Sequence, residues 1–161
     1  MHFSAVLTTL ASASIASARI IGMSAPANIK PGAPFDIILK TGKSSEPTQE
    51  ISVSWGYTSA VNGNENYELG NYVTTQYLGP SKSNTKGDIV IKATAPKELA
   101  KWKDPETVLT VAVHQAVGKT ATSVVNGYIV GFNIAKQTSA RQVISKDGIG
   151  WKQDDTCKFK W

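Results

Sequence analysis

DIVIKATA at residues 88–95, ETVLTVAVHQ at 106–115 and SVVNGYIVGFNI at 123–134 are three apolar alternating runs in succession. In the first, Ile89, Ile91 and Ala93 share a face, while Asp88, Lys92 and Thr94 take positions that can stay wet. This is the period of a half-buried strand. The second run sets Leu109, Val111 and Val113 opposite Thr110 and His114, and the third offers Val124, Tyr128, Val130, Phe132 and Ile134 as its core set. Neither of these runs carries a helical stripe. Both are rich in β-branched and aromatic residues, and Gly127 and Gly131 would weaken a helix but suit a twisted or bulged strand. Together the runs predict the back half of an antiparallel β-sandwich.

Upstream the same logic continues. In QEISVSWGY, Ile51, Val53, Trp55 and Tyr57 alternate with Ser52, Ser54 and Gly56, which assigns Trp55 to the core rather than to ligand stacking. A Lys30-Pro31-Gly32 turn precedes a strand in which Phe35, Ile37 and Leu39 point inward and Asp36 and Lys40 outward. A short apolar run lies before Pro26, and NYVTTQYLGP reads as a strand ended by Gly79-Pro80. Between strands lie two informative connections. Residues 58–71, TSAVNGNENYELGN, have the composition of a long exposed loop, and Pro96 and Pro105 bracket one helical turn with Trp102 set between Lys101 and Lys103. The expected fold is therefore all-β, an immunoglobulin-like antiparallel β-sandwich of about seven strands over residues 19–135. Because its alternation is complete at Ile134, it should fold without the basic, aromatic C-terminal tail, residues 136–161.

Composition sets the remaining bounds. The 161 residues, 41% of them hydrophobic, suffice for one domain with an ordinary core and exclude a disordered chain. Residues 1–18 contain no Lys, Arg, Asp or Glu and run through a short apolar stretch to Ala16-Ser17-Ala18, the pattern of a secretory signal peptide cleaved before Arg19. That stretch is too short to span a bilayer, so no membrane anchor is expected. Cys157 is the single cysteine, so no internal disulfide is possible and stability must come from the core. A monomer is the expectation. No Asn-x-Ser/Thr sequon occurs.

Chemistry is sparse. After the leader one histidine, His114, remains, and it lies mid-strand; no nucleophile elbow, phosphate loop or zinc spacing is present. A copper-dependent polysaccharide oxygenase would begin its mature chain with histidine, where this one begins with Arg19. No catalytic, metal or cofactor residue is assigned, and the chain is expected not to be an enzyme. Its net charge of +5 is not clustered as in nucleic-acid modules, so no nucleic-acid partner is expected. The candidate contact residues are aromatic and basic: Tyr67 and Tyr72 in or beside the long loop, Trp102, and Trp151, Lys158, Lys160 and Trp161 in a tail holding six basic and three acidic residues. They suit a protein partner, or alternatively an extracellular carbohydrate-binding module stacking sugars on Trp102, Tyr67 or Tyr72. A small secreted hydrolase is the third reading.

One resemblance sharpens these alternatives. Ala18-Arg19-Ile20, Gly22, Pro26, Ile29-Lys30-Pro31-Gly32, Phe35, Tyr77-Leu78-Gly79-Pro80 with Ser83-Asn84, and Phe132-Asn133 occur in an order that resembles the necrosis-inducing secreted proteins, a family of fungal effectors with an immunoglobulin-like core. It covers most of residues 1 to about 135 and leaves the tail unmatched. The resemblance implies an effector that is secreted and then enters the host plant cytoplasm. It further implies binding to receptor-like kinases and receptor-like cytoplasmic kinases of pattern recognition, with immune signalling suppressed and, for some members, host cell death.

Overall fold

The computed structural model describes residues 17–62, 67–146 and 148–151. Cys157, Lys158, Lys160 and Trp161 lie outside them, as does most of the expected leader. Strands β1 (Ser17–Pro26), β2 (Asn28–Ile29), β3 (Pro34–Ser44), β4 (Thr48–Ser59), β5 (Asn71–Tyr77), β6 (Ile89–Thr94), β7 (Glu106–Val117), β8 (Thr122–Ile134), β9 (Gln142–Ile144) and β10 (Gly148–Trp151) make up the body. They form two sheets, ordered β6-β3-β1-β9 and β10-β8-β7-β4-β5, with β2 running parallel to the end of β8. Seven of the strands are six residues or longer, in keeping with the expected sandwich.

The core is the set of alternating side chains. Ile89, Ile91, Ala93, Leu109, Val111, Val113, Val130 and Phe132 are buried, as are Phe35, Ile37 and Leu39 from β3 and Val53, Trp55 and Tyr57 from β4. Val124 and Ile134 are only half-buried, because they lie toward the two ends of β8. Tyr128 ties the sheets together: its hydroxyl donates to the Ile20 carbonyl at 2.8 Å, so the phenol is buried without a lost hydrogen bond.

Ile51 departs from its expected inward position. The register of β4 against β7 shifts between Glu50 and Ser52, a bulge that reverses which side chains face inward. Glu50, 1% exposed, takes the inner place, and Ile51 is half-buried. The buried carboxylate accepts the Asn84 backbone N–H at 2.7 Å and the Ser83 hydroxyl at 3.2 Å, while Ser83 Oγ accepts the Glu50 N–H at 2.8 Å. Asn84 Oδ1 in turn accepts the Ala18 N–H at 2.8 Å. Leu78 is buried, its N–H on the Ile51 carbonyl, and begins the helical turn Gly79–Lys82 that brings Ser83 and Asn84 back to β4. The Leu78-Gly79-Pro80 and Ser83-Asn84 signatures are thus one latch over a buried acid.

Two sequence expectations change at the chain ends. β1 begins at Ser17, with Ser17 opposite Ser44 and Ala18 opposite Lys43, so the ladder includes residues assigned to the leader. The segment beyond Ile134 also joins the sandwich. β9 pairs with β1 and β10 with β8. Met23 donates its N–H to Ser145 Oγ at 3.0 Å and accepts the Ser145 N–H at 2.9 Å, and Asn28 does the same with Ser139 at 3.1 and 3.0 Å. The body therefore runs past the boundary expected at 135, through Trp151. The alternation argument missed this because β9 and β10 are too short to show a period.

Candidate functional site

The site is built at the end of the sandwich where β4 leaves and β5 and β7 enter. After a 3₁₀ turn at Ala60–Asn62, the returning chain crosses the outer face of β4 at Gly56. The carbonyl of Leu69 occupies the space a Gly56 side chain would need, and Gly70, at φ 67°, rests against Thr58 Oγ1 and the Tyr57 carbonyl. Two glycines thus let backbone lie directly on backbone. Tyr67 and Tyr72, which flank this crossing, both hold φ 55°, a left-handed conformation uncommon for aromatic residues. Tyr72 takes it where the register of β5 against β4 slips between Trp55 and Tyr57.

Each of these tyrosines meets a tryptophan. Tyr72, 41% exposed, lies with its ring centroid 6.4 Å from Trp102 at an interplanar angle of 33°. Trp102 follows the 3₁₀ helix Lys97–Lys101, donates its N–H to Leu99 at 3.1 Å, and packs its half-buried ring on the core. Around this pair Thr58, Ser59, Val61, Asn71, Lys103 and Asp104 complete a cleft of about 440 Å³. Val61 stands 76% exposed on its rim, and Thr58 Oγ1 is buried with no hydrogen-bond partner among the described residues. The arrangement offers an aromatic wall, an apolar lip, a cation and a carboxylate.

Tyr67 instead meets Trp151 edge-on, centroids 6.5 Å apart and planes at 88°. The indole lies on Gly127 of β8, whose missing Cβ leaves room for it. Trp151 is therefore half-buried in a clasp that joins the β10 edge to the 67–70 crossing over the outer face of the sheet. The contact residues expected from sequence thus divide. Tyr72 and Trp102 share the cleft, Tyr67 and Trp151 hold each other, and Lys158, Lys160 and Trp161 lie outside the described residues. Val61 and Thr58 went unnoticed in sequence because nothing in a polar loop marks which residue turns toward Trp102. Lys103 and Asp104 were visible only as neighbours of that tryptophan. Among the described residues no three of His, Cys, Asp and Glu stand together as metal ligands.

The fold defines an all-β sandwich with an aromatic cleft at one end. Residues 16–133 match the model of the Nis1 family, and the chain belongs to that family. Among its relatives, necrosis-inducing secreted protein 1 of Colletotrichum orbiculare is 30% identical over 158 residues, covering 94% of this chain and 93% of the relative. The protein of the same name from Colletotrichum higginsianum is 26% identical over 132 residues, covering 82% and 89%. Among solved structures, a superoxide reductase (neelaredoxin) from Ignicoccus hospitalis superposes with a TM-score of 0.39 at 11% identity, over 74% of this chain and 83% of that one.

Proposed function

We propose that this chain is a secreted fungal effector that binds plant kinases associated with pattern-recognition receptors, suppresses host immune signalling and can provoke host cell death. The observation that carries secretion and necrosis is the family membership, with relatives named necrosis-inducing secreted proteins matched over most of their length. The cleft supports the contact surface. Tyr72, Trp102 and Lys103 combine the aromatic and basic side chains that dominate protein hot spots. Titration of the secreted protein into purified receptor-kinase cytoplasmic domains tests this. Saturable binding, weakened at least tenfold by Trp102→Ala (about 1.4 kcal/mol) in protein that circular dichroism shows to be folded, is the expected result; no binding to any such domain would remove the kinase reading.

The cleft favours a second reading. An aromatic pair tilted by 33°, with Asn71 and Asp104 beside it, is also a surface on which a sugar ring can stack and hydrogen-bond. Co-sedimentation with chitin and cellulose, lost in Trp102→Ala, would establish that alternative.

A further inference from the structure

β5 closes one side of its sheet, and among the described residues nothing pairs with its outer edge. A free edge presents unpaired N–H and C=O groups, and sheets ordinarily protect such edges by shortness, charge or proline. The other three edges follow that rule. β9 and β10 have three and four residues, and β6 carries Lys92, ion-paired to Asp36 at 2.9 Å. β5 does not. Its sequence, NYVTTQY, has no charge and no proline, and all of its residues except Gln76 are exposed.

β5 ladders to β4 without a break over Thr74–Tyr77, and Val73 leads into that run from the register slip it shares with Tyr72. An antiparallel two-fold centred on Thr75 would set Val73 opposite Tyr77 twice, Thr74 opposite Gln76 twice, and Thr75 opposite itself. Residues directly opposite in an antiparallel pair project to the same face. Val73 and Tyr77, 51% and 68% exposed, would then form two aromatic–β-branched pairs, and the hydroxyl of Thr75, already 2.8 Å from Ser54 Oγ, would meet its symmetry mate. The protein carries a net charge of +5, so most approaches between two copies set like charges together; this strand has none. We propose that β5 pairs with β5 of a second copy, joining the two five-strand paths into one continuous sheet and making the protein an isologous dimer. This replaces the monomer expected from sequence, and it uses the strand's edge rather than the Tyr72–Trp102 cleft.

Sedimentation of the mature protein in reductant, over a concentration series, tests the proposal. A concentration-dependent dimer is expected, lost in Thr75→Lys, which puts two ammonium groups on the axis while the folded state, followed by circular dichroism, is retained. A cross-link guards against misfolding of that variant. In a Cys157→Ser background, Thr75→Cys should oxidise to a covalent dimer, because opposed Cα atoms about 4.5–5.5 Å apart suit a disulfide, whereas Gln76→Cys should not. A wild-type monomer throughout the series, a dimer that survives Thr75→Lys, or equal cross-linking at positions 75 and 76 would overturn it. So would a monomeric wild type whose binding to a kinase domain is lost in Thr75→Lys, since the edge would then belong to another protein.

Discussion

Tyr128 and Tyr57 are both buried phenols. Burial holds Tyr128 protonated up to about 12, against an ordinary value of 10.0, and burial also raises Tyr57, whose hydroxyl has no partner among the described residues. The sign follows from the protons bound. Between pH 10 and 12 the unfolded chain has lost the Tyr128 proton and the folded chain still holds it. Stability is therefore complete below 10 and falls as pH rises toward 12, by about 3 kcal/mol for this residue. An alkaline titration should show part of the tyrosinate absorbance appearing only together with the loss of circular dichroism; full ionisation in the folded protein would contradict it. A second residue-scale expectation concerns Gly127. A Cβ there would lie 2.8 Å from Trp151 Cζ3, so Gly127→Ala should destabilise by roughly 1–3 kcal/mol through overpacking. In a Trp151→Ala background the same change should be close to neutral, and chemical denaturation of the four proteins in that cycle measures the coupling.

At the scale of elements, β9 and β10 are where a truncation shows its effect. Ending the chain after Gln137 removes both strands, strips Met23 and Asn28 of their Ser145 and Ser139 partners, and exposes two new sheet edges. The truncated protein should melt well below the full chain or fail to be secreted, whereas a chain ending after Trp151 keeps every described strand. Thermal melts of the two separate these outcomes. Strands β3 to β8 were legible in the sequence because each is long enough to alternate and is closed by Gly, Pro or Asn. The inward turn of Glu50 was not legible, since a bulge reverses the pattern without changing composition. Half of the cleft was legible as well: Trp102 and Tyr72 stood out as aromatics in polar surroundings. That they face each other, and that Tyr67 and Trp151 do the same elsewhere, depends on the crossing over Gly56, a long-range contact with no local signature.

For the whole molecule, one cysteine in 161 residues means that cohesion is noncovalent, and the melting temperature should be the same with and without reductant. A drop on reduction would show that Cys157 bridges copies in a way that stabilises them. Trp55, buried between the sheets, measures that cohesion directly: Trp55→Ala should cost about 3–5 kcal/mol, a large share of the stability of such a domain, and appear as poor secretion. The start of β1 adds a constraint of timing. The Ala18–Arg19 bond joins two residues already laddered to Lys43 and Gly42, with Ala18 buried and its N–H held by Asn84. A protease needs that bond extended and free, so cleavage there and closure of the sandwich compete for the same residues. For a leader ending at Ala18, as the sequence predicts, cleavage has to precede closure. A precursor allowed to fold in the cytosol should resist signal peptidase added afterwards, while the same precursor presented unfolded should be cut. A cut at that bond then falls in the interval between emergence of residue 19 and the pairing of β1 with β3.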